Sequence, residues 1–164
     1  MIKKIISAAC AAVITITGTS LCVRREPKLE PTTATTTKLE IGGAYYSVTH
    51  NEFIEICSVV MAEAGGECYK GQQAVAQVIL NTCKIEHCRP FEAIAGHGYT
   101  KKRPSPTKSV MDAVDDVFYR GAKVIDERVT IFYAPSYGTS EYHESQIYST
   151  TIGNHKFFIE RRYK

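Results

Sequence analysis

Apolar residues recur at helical spacing in three stretches of the chain. Phe53, Ile56, Cys57, Val60 and Ala64 form the first stripe. Thr49 with Glu52 three residues on is a capping box, so this helix is expected to begin at Thr49, with Asn51 a competing cap and Gly65-Gly66 as its end. A second helix is expected over 69–83. Val75, Val78, Ile79 and Thr82 mark its inner face, Ala74 and Ala76 admit a close neighbour, and Asn81 is expected to bond a loop carbonyl. A third helix is expected over 107–123, with Val110, Ala113, Val114, Val117, Phe118 and Gly121 on one face and Asp112, Asp115 and Asp116 toward water. Residues 83–103 read as loop, apart from one short turn around Phe91, Ile94 and Ala95; 101–106, with two prolines, cannot be regular. The period then changes. Val129–Tyr133 and His155–Ile159 are short β-prone runs separated by a polar, Tyr-rich loop. The pattern predicts an α+β, helix-dominated domain with a small β element.

Ahead of this domain the pattern differs. Lys3 and Lys4 precede an apolar run over 5–16 broken only by Ser7 and Thr15, and Thr17-Gly18-Thr19-Ser20 follows. Residues 1–25 therefore read as a signal peptide or an N-terminal membrane anchor. Counted on to Val23 the run is nearly long enough to span a bilayer, so a tether through residues 5–23 stays open beside cleavage. Leu21 before Cys22 is larger than a lipid-attachment site prefers. Residues 26–43, with Pro27, Pro31 and a Thr-rich run over 32–37, form a linker that cannot bury apolar surface. The remainder, 44–164, is expected to be one domain.

Charge and cysteines narrow the chemistry. Lys3, Lys4, Arg24 and Arg25 account for four of the 20 basic residues, leaving 16 against 17 acidic ones from position 26 onward, a net of −1. A near-neutral domain has no basic field to gather nucleic acid. Cys57, Cys68, Cys83 and Cys88 allow two disulfides in three pairings, or remain as buried thiols. Cys83, His87 and Cys88 lack the two close-spaced pairs of a zinc site, and no paired histidines stand with a glutamate at ligand spacing, so no metal and no cofactor is expected.

Glu63 is the catalytic candidate. It lies seven residues after Ile56, within about 20° of it around the helix, and so projects from the buried side. It also stands at a helix C-terminus, where the dipole disfavours a carboxylate by roughly 0.3–1 kcal/mol. Desolvation is the larger effect, up to ~3–5 pKa units at full burial. Both favour the neutral acid that protonation of a glycosidic oxygen requires. Glu67, past the glycines at the start of the second helix, is placed to stay ionised as a cap or electrostatic helper and is the secondary candidate.

The run 63–67, Glu-Ala-Gly-Gly-Glu, followed by Gly71-Gln72-Gln73-Ala74-Val75-Ala76-Gln77-Val78-Ile79-Leu80-Asn81, resembles the signature of the SleB-type cell wall hydrolases, which include spore-cortex-lytic enzymes. Phe132-Tyr133-Ala134-Pro135 and Ile152-Gly153-Asn154-His155-Lys156-Phe157-Phe158 resemble that family's closing motifs, so the likeness spans about 52–158. It implies a lysozyme-like fold, and together with the N-terminal segment it makes an exported, extracytoplasmic enzyme the expectation, secreted or membrane-anchored at the cell wall. It implies cleavage of peptidoglycan strands between N-acetylmuramic acid and N-acetylglucosamine, with an anhydromuramic product. Carried to the matching motif position, the catalytic glutamate is again Glu63.

A glycan groove needs flat apolar faces, and with no Trp the tyrosines must supply them. Tyr99 and Tyr133 are the groove candidates. Where family members show Gln-Phe, this chain has His97-Gly98-Tyr99-Thr100, which brings Thr100 into the substrate-binding set with Tyr99. Gln73, beside Gln72, opens the second helix near Glu63 and is expected to bind N-acetyl groups. No partner carboxylate announces itself: Glu86 and Glu92 read as solvated loop residues. That favours transglycosylation over hydrolysis by a paired carboxylate without deciding it. Vegetative wall and spore cortex are both open as substrate. The alternative reading is a non-catalytic peptidoglycan-binding or scaffold protein that retains the fold.

Overall fold

The computed structural model describes residues 46–164. The export segment expected at 1–25 and the linker expected at 26–43 lie outside the described residues. Helix α1 (His50–Ala64) starts where the capping box places it: Glu52 N donates to Thr49 Oγ1 at 3.3 Å, and Thr49 N donates to Glu52 Oε2 at 2.8 Å. Asn51 falls inside the helix. Ile56, Cys57, Val60 and Ala64 are buried, and Phe53 is half-buried, stacked on Tyr119.

Glu52 does more than cap. Its buried carboxylate also accepts from Arg89 Nε at 2.9 Å and from a second guanidinium nitrogen. Arg89 is the residue that opens α3 (Pro90–Gly96), where its backbone N–H donates to Glu92 Oε2 at 2.7 Å. Burial raises the Glu52 pKa, but the Arg89 and Thr49 bonds outweigh it and hold the group below its ordinary value.

Helix α2 (Tyr69–Ile85) is the central post. Every residue from Gly71 to Cys83 is buried, not one face only, because α1, α3, α4 (Lys108–Phe118) and β1 (Val129–Tyr133) surround it. Its alanines and valines allow that approach, and its polar residues are consumed by it. Gln77 Oε1 accepts from Val124 N at 2.7 Å and Ile125 N at 3.1 Å, and its amide donates to Ile125 O. Asn81 donates to the carbonyls of Asp126 and Val129, as expected. Two helical side chains thus hold the irregular segment that follows α4.

At the far end of α2, Cys88 N donates to Cys83 O at 3.2 Å across His87, whose φ is 52°. This is a Schellman turn, which brings the side chains of its first and sixth residues together. The Cys83 and Cys88 thiols lie within hydrogen-bonding reach of each other, while Cys57 is sealed in α1 and Cys68 is exposed. All four are free thiols.

Helix α4 ends at Phe118, short of the expected 123. Its C-cap Tyr119 N–H still bonds Asp115 O, but Gly121 adopts φ 72° and turns the chain away. Asp116 is only partly exposed: Tyr69 Oη and Gln73 Nε2 donate to its Oδ2 at 2.7 and 3.0 Å.

Strands β1 and β3 (His155–Ile159) match the sequence reading, but β2 (Ile147–Ile152) occupies part of the stretch expected to be loop. The antiparallel order is β1-β3-β2. An edge strand is wet on one face, so its Ser and Thr read as loop. The β2–β3 turn is Gly153-Asn154, with Gly153 at φ 58° and Asn154 at negative φ, the II′ hairpin pattern.

Candidate active site

A cavity of about 360 Å³ opens beside the end of α1. Glu63 and the segment His97, Gly98, Tyr99 form one wall. Thr130, Ile131, Phe132 and Tyr133 of β1, with His143 from α5 (Glu141–Glu144), form the other. Ala64 in the last turn of α1 is still core, but Glu63 beside it faces the cavity, so it is half-buried at the wall and not sealed as full desolvation would require. Its Oε1 accepts the backbone N–H of Thr100 at 2.7 Å. Among the described residues, Oε2 makes no hydrogen bond.

The Thr100 segment is itself held. Arg103 Nε donates to Glu55 Oε1 at 2.6 Å on α1, and the same guanidinium donates to the carbonyls of Thr100 and Lys102. Thr100 therefore serves Glu63 through its main chain. Its side-chain oxygen only accepts from Lys102 N. Gly98, at φ 72°, is the turn that reverses the chain after α3 and brings Tyr99 into the wall.

The cavity gathers Glu63, Tyr99 and Tyr133 from the expected set. Tyr99 packs on Phe132 with ring centroids 6.1 Å apart, and its buried hydroxyl has no hydrogen-bond partner among the described residues. Burial, and then the nearby Glu63 carboxylate, push its pKa well up. Tyr133 stacks on Phe158 at 5.9 Å and its hydroxyl donates a hydrogen bond to Glu144, which raises its pKa.

Gln73 is not among the lining residues. Its amide is spent on Asp116, and Gln72 is likewise spent between Glu67 O and Ser109 Oγ. Both fill the α2–α4 contact, because a helix buried all round leaves its first-turn amides nothing else to face.

Glu67 lies away from the cavity lining and latches the hairpin. Asn154 N and Nδ2 donate to its two carboxylate oxygens at 3.0 and 2.9 Å, and His155 Nδ1 stands 3.7 Å away. Burial raises its pKa, yet these partners outweigh burial and leave it lowered, in keeping with an ionised helper. A Cβ on Gly153 would sit 1.9 Å from Glu67 Oε2, so only glycine fits the turn with the latch closed.

Sequence reasoning missed His97, His143 and the full use of β1. It also misplaced Glu86, expected in solvent. Glu86 Oε2 pairs with His97 Nε2 at 3.0 Å, while Oε1 accepts from Tyr163 Oη and from Arg162 Nη2. Glu92, the other supposed loop acid, caps α3. A His-carboxylate pairing eleven residues apart has no periodic signature, and only the fold of α3 against α2 reveals it.

No protein-family model and no curated protein matches the chain. Among solved structures it is similar to the catalytic domain of the germination-specific lytic transglycosylase SleB from Bacillus anthracis, at 24% identity and a TM-score of 0.55, over 68% of this chain and 96% of that one. It is also similar to the catalytic domain of the Bacillus cereus SleB protein, at 27% identity and a TM-score of 0.52, over 71% of this chain and 98% of that one. The helical bundle with its three-stranded sheet, and these two likenesses, show that the chain has a SleB-like, lysozyme-like α+β fold.

Proposed function

We propose that the chain is an extracytoplasmic peptidoglycan lytic transglycosylase with Glu63 as its acid and base. The observation that carries this reading is a carboxyl group at the wall of an open cavity, alone among the described residues that line it, with one oxygen held by Thr100 N–H and the other without a hydrogen-bond partner among the described residues. Glycan bound there would take water from the carboxyl, which favours the neutral acid. Glu63 then protonates the oxygen between N-acetylmuramic acid and N-acetylglucosamine. The C–O bond breaks toward that oxygen, and positive charge develops at the anomeric carbon beside the new carboxylate. The carboxylate next accepts the proton of the muramic 6-hydroxyl as that oxygen closes on the anomeric carbon. An anhydromuramic end results, and Glu63 is protonated again. Tyr99 and Tyr133 offer faces for the sugar rings.

Glu63→Gln keeps the shape and the bond from Thr100 but has no proton to give. Purified sacculi digested by the wild type should release anhydromuropeptides, and the variant should be slower by about 10²–10⁴-fold, the usual worth of general acid-base catalysis. Equal release by both proteins would refute the role of Glu63. Binding without any release by the wild type would favour a scaffold. Parallel digests of vegetative wall and spore cortex assign the substrate.

A further inference from the structure

The cavity holds a second group able to move a proton, and it falls where this chain departs from the family pattern. His97 lines the cavity together with Glu63. It lies three positions before Thr100, whose N–H holds Glu63, so the chain between them spans at most about 11 Å. Its side chain is mostly buried, and its Nε2 lies 3.0 Å from Glu86 Oε2. Glu86 is fixed in turn by Arg162 Nη2 at 2.9 Å and by Tyr163 Oη on its other oxygen. The Tyr163 bond is the chief cause of a lowered Glu86 pKa, with burial opposing it and His97 and Arg162 assisting. A carboxylate only accepts, so the proton of the neutral imidazole sits on Nε2 and the lone pair on Nδ1. No protein group bonds Nδ1 among the described residues. A carboxylate that orients an imidazole whose second nitrogen is left free is the arrangement of a general base.

We propose that the His97–Glu86 pair activates water in the cleft, giving the chain a glycoside-hydrolysing activity beside ring closure. The inference rests on the reading of Glu63 as the acid. Glu63 protonates the leaving oxygen and the glycosidic bond breaks as before. A water oxygen, in place of the 6-hydroxyl, then bonds to the anomeric carbon and gives its proton to His97 Nδ1. The imidazolium, stabilised by Glu86, returns that proton through solvent and Glu63 is reprotonated. One water is consumed, and the product is a reducing muramic end in place of an anhydro end.

The test is product partition in H₂¹⁸O. Sacculi are digested with wild type, His97→Gln, Glu86→Gln and Glu63→Gln, the products are reduced at once with borohydride, and both kinds of end are counted by mass. The wild type should give anhydro ends together with reducing ends carrying one ¹⁸O. His97→Gln should cut the ratio of labelled to anhydro ends at least about 100-fold. Glu86→Gln should lose about tenfold or more of the labelled ends, as expected when an orienting partner is removed. A melting temperature near that of the wild type checks that each variant is folded. A wild type that makes anhydro ends alone, or a His97→Gln variant with an unchanged ratio, overturns the inference and leaves the Glu63 reading standing. Parallel loss of both products in His97→Gln, with a lowered melting temperature, assigns the pair to structure and also overturns it. A wild type that cleaves nothing sinks the Glu63 reading, and this one with it.

Discussion

Replacing Gly153 by alanine tests how the hairpin is tied to the helices. Two costs arise. Alanine at φ 58° carries roughly 1–2 kcal/mol of left-handed strain. Its Cβ would also fall 1.9 Å from Glu67 Oε2. That oxygen ends a flexible side chain and can swing aside, so the steric clash itself is cheap. What swinging aside loses is the pair of bonds from Asn154, and with Asn154 exposed these are worth about 1–2 kcal/mol together. The sum is about 2–4 kcal/mol, or a melting-temperature drop of about 8–16 °C for a domain of this size. Thermal unfolding followed by circular dichroism measures it. The same substitution in a Glu67→Ala background should cost only the strain, so the double-mutant cycle should return a coupling of about 1–2 kcal/mol. No coupling, or a single-mutant cost below about 1 kcal/mol, refutes the latch. Acid supplies a second reading. Because Glu67 has a folded pKa below its ordinary 4.5, its contribution is complete above that pH and is lost as pH falls through the lower folded value. Glu67→Gln should flatten that part of the stability profile.

Thr100→Ala should leave wall digestion near wild type, since only the main chain reaches Glu63, whereas Thr100→Pro deletes the N–H and should slow clearance of sacculi by tenfold or more. Arg89→Ala strands the buried Glu52 carboxylate and should cost about 2–4 kcal/mol in chemical denaturation; Arg89 is about half exposed, which holds the loss below that of a fully buried pair. A mild disulfide oxidant should link Cys83 to Cys88, seen after tryptic cleavage at Lys84 as two joined peptides 2 Da lighter than their sum, and the link should add about 2 kcal/mol of stability.

What the sequence made legible was what periodicity and capping encode. Thr49 and Glu52 set the start of α1, and the β-prone run Val129–Tyr133 set β1, because each signal is local. Glu63 was legible for the same reason, through its angle to Ile56 and the glycines behind it. The failures are non-local. The polar face of β2 hides its pairing with β3. The amides of Gln72 and Gln73 are used up by α4, which no reading of α2 alone reveals. The pairing of His97 with Glu86 depends on how α3 folds back on α2. The extent of Glu63 burial depends on the 97–99 segment and β1 that wall the cavity beside it, which the helix alone does not reveal.

Glu52 makes the cleft sensitive to an event far from it. One carboxylate fixes the first turn of the helix that ends in Glu63, and it also grips the residue that opens α3, whose chain runs on to Thr100. Acid and holder are therefore two legs of a compass pivoting on a common pin, the longer leg running about 16 Å along α1. A substitution at that pin touches no sugar. It would nevertheless splay the legs and reach an assay as slowed turnover on a glycan still held.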